Sequence, residues 1–256
     1  MATTIQREGL PDQQMHEVHR IECDGAIDAD GHILEPPDLW DEYLESKYKD
    51  RALRIRVDEN GLEELEIGGQ RSTMSRRGFP ATLGAMGAPD LADIQRNPDR
   101  TYLHEAPFGS MDPNQRLEVL DAENLDAAVI YTTVGLLWEA ELEDPELSQA
   151  YTRAYNRWVV DFCRDSGGRL VPSAHLSLSD PEAAAAELRR AVNDGRRVVM
   201  LLHLPITQLR WVIQTTTSYL LLLKNLMFRS PYIRRLNRSG LKAVVWALGR
   251  TLSSCG

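Results

Sequence analysis

Residues 53–67, LRIRVDENGLEELEI, change side at nearly every step on either flank of Glu59-Asn60-Gly61, and this period-two pattern with an Asn-Gly turn predicts a hairpin. From residue 112 onward the rhythm changes. DPNQRLEVLDAENL predicts a helix capped at Asp112 with Pro113 in its first position. DAAVIYTTV follows as a buried strand, then PELSQAYTRAYNRWVVDFCRDSG as a long amphipathic helix ended by Gly167-Gly168. RLVPSAHLSL is the next strand, DPEAAAAELRRAVNDG a second capped helix with Asp180 before Pro181 and Gly195 behind it, and RVVMLL a third strand. Upstream, AIDADGHILEPPDLWDEYL begins with a short apolar step and runs to a Pro-Pro pair, after which Asp38 stands as N-cap of LWDEYLESKY. Residues 68–110 are rich in Gly and Pro and read as a long functional loop or lid, and residues 1–24 as a flexible leader. Strands that are continuously apolar and alternate with helices predict a parallel α/β sheet or barrel.

Composition narrows the class. With 256 residues, 43% of them hydrophobic, the chain can bury a real core, so disorder is excluded as its main theme. Three cysteines, Cys23, Cys163 and Cys255, show no metal or redox spacing and are expected as free thiols in a reducing compartment. The opening MATTIQREGLPDQQMHEVHR lacks the apolar stretch of a secretory signal, which predicts a cytoplasmic protein.

Charge is divided sharply. Residues 1–195 hold 38 Asp and Glu against 19 Lys and Arg, whereas residues 196–256 hold 10 Lys and Arg and no acid. A nucleic-acid arm would pool its basic residues, but these are scattered among apolar ones. A membrane anchor needs about 20 consecutive apolar residues, and the run from Tyr219 to Phe228 is short and broken by Lys224. Neither nucleic acid nor membrane is therefore expected as a partner.

The densest chemistry lies in Ile27-Asp28-Ala29-Asp30-Gly31-His32. Side chains two apart on a strand share a face, so Asp28, Asp30 and His32 are expected to project together. Carboxylate and imidazole converging at a strand end suit a divalent metal such as Zn²⁺; the competing reading is a polar strand end with capping carboxylates. Other candidates are weaker. His175 suits a satisfied core position better than the barrel mouth, His16 and His19 lie in a polar leader, and His104, Arg76 and Arg77 belong to the 68–110 segment, exposed or facing an anionic substrate. Trp138 and Trp158 are expected to pack, and Gly84 to Gly87 offers no phosphate-cradling pattern.

IDADGHILEPPDLW resembles the opening strand of the amidohydrolase-related family of metal-dependent hydrolases, which includes aminocarboxymuconate-semialdehyde decarboxylase-like carboxy-lyases; RLEVLDAENLDAAVIYTTVGL and GRLVPSAHLSLSDPEAAAAELRRAVNDG resemble its later helices and strands. The resemblance covers about residues 25–202. It implies a (β/α)₈ TIM barrel, here partial and truncated after about three βα units, with its site at the carboxyl ends of the strands. It places Asp30 and His32 in the two metal-ligand positions of the first strand, Asp standing where that family often has His, with Asp28 supporting them. A divalent cofactor, Zn²⁺ first, a small carbonyl or carboxylate substrate, hydrolysis or decarboxylation, and compatibility with a homo-oligomer follow from the likeness. The competing class is a non-catalytic truncated binding protein or pseudo-enzyme.

The resemblance stops where the acids stop. Family members continue with a segment like Gly-Asp-Pro-X-Tyr-Asp, then Glu-Leu-X-Val-Pro and a strand ending in a metal-binding His. Taking the third base of each codon with the first two of the next, Arg210–Thr217 is compatible with Met-Gly-Asp-Pro-Asn-Tyr-Asp. In the same frame Leu223–Ile233 is compatible with Glu-Glu-Leu-Asp-Val-Pro-Val-Ala-Ile-His. Residues 203–256 are thus expected to be an aberrant basic tail read out of frame after a shift near Leu202–Leu209, leaving the chain inactive as written.

Overall fold

The computed structural model describes residues 3–4, 14–85 and 88–201; Cys255 and residues 203–256 lie outside the described residues. In chain order the strands are β1 (Thr3–Thr4), β2 (Ile27–His32), β3 (Arg54–Val57), β4 (Glu63–Ile67), β5 (Gln70–Arg71), β6 (Ala127–Tyr131), β7 (Leu170–Leu176) and β8 (Val198–Leu201). The helices are α1 (Leu39–Tyr43), α2 (Phe79–Gly84), α3 (Leu91–Ile94), α4 (Tyr102–Glu105), α5 (Pro113–Glu123), α6 (Gly135–Glu141), α7 (Pro145–Cys163) and α8 (Pro181–Asn193).

Strands β2, β6, β7 and β8 form, in that order, a wholly parallel sheet that curls into half a barrel, with helices in the connections. That is the partial α/β barrel expected, four strands joined through about three βα units. Ile27 is 53% exposed, as befits the first residue of an edge strand. Between β2 and β6 the chain lays down β3, β4 and β5, which with β1 form a second, antiparallel sheet whose centre is the expected hairpin, with Arg54 opposite Glu66 and Val57 opposite Glu63. Its turn is closed by the Asp58 carboxylate, which accepts from the N–H groups of Asn60 and Leu62.

Helix starts follow one local device three times. Asp112, Asp144 and Asp180 each stand before a proline with an extended backbone, and each carboxylate accepts from two N–H groups of the first turn. Asp38 does not behave this way. Helix α1 is present, but Asp38 is itself helical (φ −79°, ψ −12°) and its carboxylate caps nothing, because a capping side chain needs the extended geometry it lacks.

Segment 68–110 differs from the loop expected for it, since α2, α3 and α4 occupy much of it and α2 packs on α4 and β4. Gly78 makes this possible: its φ is +71°, and a Cβ there would run into the Gln95 backbone. At the other end, the last part of the leader is tied down. Ile21 N–H donates to Glu123 O, and the left-handed Asn124 (φ 63°) donates through Nδ2 to the carbonyls of Ile21 and Cys23.

The core is built on α7. Leu147, Ala150, Tyr151, Ala154, Tyr155, Trp158, Val159 and Phe162 recur at helical spacing and are buried against the sheet. Tyr151 meets Trp40 at 4.9 Å and Trp138 at 5.4 Å between ring centroids, and Trp158 meets Phe162 at 5.3 Å, so both tryptophans pack as their sequence setting suggested. Cys163 is buried, which pushes its thiol up to about 12, and Cys23 is exposed; both are free.

Candidate functional site

The motif strand β2 is irregular. Asp28 pairs with Ala128 but Gly31 with Ile130, so three steps on β2 span two on β6, a bulge. The bulge breaks the simple alternation expected of Asp28, Asp30 and His32. His32 Nε2 and Asp30 Oδ1 do converge, 3.5 Å apart, with side chains 40% and 72% exposed. Asp28 goes elsewhere: its Oδ2 accepts from Arg116 of α5 at 3.1 Å, on the side where a Gly31 Cβ would point. That Cβ would lie 2.8 Å from Val129 O, 3.0 Å from Asp28 Oδ2 and 3.2 Å from the Arg116 guanidinium, so only glycine leaves room for the pair. Asp28 still touches its neighbour, since Oδ1 accepts from the Asp30 N–H at 2.9 Å. The structure therefore brings Asp30 and His32 together and sets Asp28 behind them, holding the bulge.

His32 is framed from β6. Its Nδ1 lies 3.3 Å from Thr133 Oγ1, and the Tyr131 ring centroid is 5.9 Å from its own. Burial, then the nearby charges of Asp30 and Asp28, raise the Tyr131 phenol above its ordinary value, so the hydroxyl keeps its proton through the physiological range. Behind this turn Glu35, 2% exposed, accepts from the Thr132 hydroxyl and from the N–H groups of Thr133, Val134 and Gly135. Tyr131, Thr133 and Glu35 were not singled out as site residues from the sequence, although Glu35 sits in the ILEPP stretch beside the motif.

The other candidates fall outside this group. His175 is fully buried, packed on Trp138 at 4.9 Å and on Tyr155 at 6.3 Å between centroids, and its Nε2 donates to Glu139 Oε2 at 2.8 Å. It is a core histidine facing α6 and α7. Its main chain is held by Asn156, whose amide accepts from His175 N–H and donates to His175 O, standing in for a strand neighbour. His16, His19 and His104 are exposed, the last bonded to Glu105. Arg76 is exposed, and Arg77 pairs with Asp58 in the antiparallel sheet.

Two ligands of a tetrahedral Zn²⁺, each about 2.0–2.1 Å from the ion, stand about 3.3–3.4 Å apart. The 3.5 Å between Asp30 Oδ1 and His32 Nε2 suits such a pair, and the neighbour on Nδ1 leaves Nε2 to face the ion. The donor chemistry fits a divalent metal as part of a set. Among the described residues no group of three or more His, Cys, Asp or Glu could hold an ion.

Comparison with known proteins bears on the family and the fold. No curated protein matches the chain. Among solved structures, an amidohydrolase from Mycobacterium avium subsp. paratuberculosis K-10 is similar with a TM-score of 0.54 at 21% identity, over 70% of this chain and 49% of that one. The chain thus spans about half the length of that protein, and at this identity the likeness speaks for the fold. A 2,6-dihydroxybenzoate decarboxylase bound to 2,6-dihydroxybenzoate (TM-score 0.40, 16% identity) and another from Rhizobium (0.39, 18%) also match over 70% of this chain, and over 39% and 38% of their own. The amidohydrolase family model matches residues 27–212, well over half of the chain. With the motif strand at its first matched residue and the half-barrel behind it, the chain belongs to the amidohydrolase family.

Proposed function

We propose that the parent protein is a metal-dependent hydrolase or carboxy-lyase acting on a small carbonyl or carboxylate compound, with Asp30 and His32 holding a divalent ion, Zn²⁺ first. The observation that carries this reading is the carboxylate–imidazole pair at the carboxyl end of the first barrel strand, 3.5 Å apart and backed by Thr133 on the far ring nitrogen. When bound, the ion supplies a Lewis acid that polarises a carbonyl and lowers the pKa of a water. The protein's share is orientation. Thr133 holds the His32 ring, Asp28 and Arg116 hold the bulge that presents Asp30, and Tyr131 offers a hydroxyl that keeps its proton beside them. Substrate and ion are the partners proposed, a homo-oligomer being compatible, with neither nucleic acid nor membrane involved. Among the described residues no helix is long and apolar enough to cross a membrane.

Titration of the frame-corrected protein with Zn²⁺ tests the reading. About one ion should bind per chain, and His32→Ala should abolish that binding; equal binding by the variant would remove Asp30–His32 as the site. A second reading, a non-catalytic member, is favoured by one observation: two converging donors fall short of the three protein ligands of a catalytic Zn²⁺ site. Zn²⁺ binding without turnover of any small carbonyl or carboxylate substrate would support it.

The missing ligands have a proposed location. We propose that residues 203–256 are read out of frame, supported by the disappearance of every Asp and Glu after Asp194. The coding DNA should show one inserted or lost base near Leu202–Leu209, and a His codon across Tyr232 and Ile233 in the shifted frame. A Tyr codon or a stop there would make the tail native.

A further inference from the structure

We propose that Glu35 is a positioning residue that sets the His32 ring through Thr133, a proposal that deepens the reading above and rests on it only for its metal arm. Glu35 lies three residues past His32 and is 2% exposed. A carboxylate in so dry a place must have its oxygens satisfied, and here the donors all come from one turn. The Thr132 hydroxyl, Thr133 N–H (3.1 Å), Val134 N–H (2.9 Å) and Gly135 N–H (3.1 Å) converge on it from the carboxyl end of β6. Gly135 N–H also donates to Thr132 Oγ1 at 3.0 Å, and a Cβ at Gly135 would collide with the Thr132 side chain. Tyr102 fixes the carboxylate's own backbone by donating its hydroxyl to Glu35 O at 3.0 Å.

A turn held at four consecutive residues leaves Thr133 little freedom. Its Oγ1 is placed 3.3 Å from His32 Nδ1, on the ring nitrogen away from Asp30. The Glu35 carboxylate bonds to the 132–135 turn and not to Asp30 or His32, yet it decides where the partner of the His32 ring stands. Partners of this kind fix the ring orientation of metal-binding histidines, and their loss typically lowers metal affinity about 10–100-fold.

The test reads His32 directly. In the full chain labelled with ¹⁵N and free of metal, Thr133→Val should move the His32 ring nitrogen shifts and Thr133→Ser should restore them. Glu35→Gln should move them in the same direction although Thr133 is intact. In Zn²⁺ titrations of the frame-corrected chain Thr133→Val and Glu35→Gln should each weaken binding about 10–100-fold, with Thr133→Ser near the unsubstituted value. Native His32 nitrogen shifts in a folded Glu35→Gln chain, or in Thr133→Val, would overturn the proposal. Should Glu35→Gln fail to fold, Glu35→Asp, which withdraws the carboxylate by one methylene, is read by the same criterion. A frame-corrected chain that binds no Zn²⁺ while its His32 shifts respond to Glu35 would refute the metal reading and leave the positioning role standing.

Discussion

Glu139→Ala should destabilise the fold by about 2–6 kcal/mol, because it leaves two buried donors without an acceptor at about 1–3 kcal/mol each. Glu139 Oε2 accepts from His175 Nε2 at 2.8 Å and Oε1 from Leu178 N–H at 3.1 Å, and both side chains are fully shielded from solvent. Truncation strands two donors in a dry interior, under the Trp138 ring that packs on His175. It also opens a void in which nothing replaces the lost atoms. The measurement is urea unfolding, where the midpoint should fall without a change in slope. The double replacement Glu139→Met with His175→Phe should recover part of the loss, because the apolar pair fills the volume and removes the imidazole donor while Leu178 N–H still lacks its acceptor. A loss below about 1 kcal/mol in Glu139→Ala would mean that water reaches the pair.

The second large effect is a pH dependence centred on Glu63. This carboxylate is 2% exposed; Oε2 accepts from Tyr102 N–H at 2.6 Å, and Oε1 has no partner among the described residues. Burial pushes its pKa up from 4.5 to about 7, and the Tyr102 N–H pulls back only part of that rise. The folded chain thus holds a proton on Glu63 that the unfolded chain has already released between pH 4.5 and about 7. Its favourable contribution is complete below the unfolded value, is lost as pH rises through that window, and stays lost above it. The loss amounts to about 3 kcal/mol at 1.36 kcal/mol per unit. Unfolding free energies measured at about pH 5 and about pH 8 should differ by that order in the native chain, and this component should vanish in Glu63→Gln. An equal pH dependence in the two proteins would show that Glu63 is not the group responsible.

What could be read from the sequence alone is what neighbours along the chain decide. The Asp-Pro helix starts at 112, 144 and 180 need only a carboxylate and the N–H groups two and three residues on, so they were legible. The hairpin at 53–67 and the apolar strands β6, β7 and β8 were legible for the same reason, since period and turn chemistry lie within a few residues. Sequence also put Asp30 and His32 on one face.

Tertiary structure decided the rest. Asp28 left that face because Arg116, 88 residues away, draws its carboxylate to the Gly31 side of a bulge, and period-two reasoning has no term for such a partner. For His175 the sequence weighed a core position against the barrel mouth; Glu139, Trp138 and Tyr155 settle it from α6 and α7. Asp38 and Glu35 carry the contrast furthest. Both stand beside the same Pro-Pro pair, yet Asp38 has the sequence of a cap and caps nothing, its own backbone being helical. Glu35 carries no local signal and gathers four donors from a turn about 100 residues away. A carboxylate's partners within one turn are fixed by chain geometry, whereas a buried carboxylate must take whatever donors the packed fold brings to it, and only the fold says which those are.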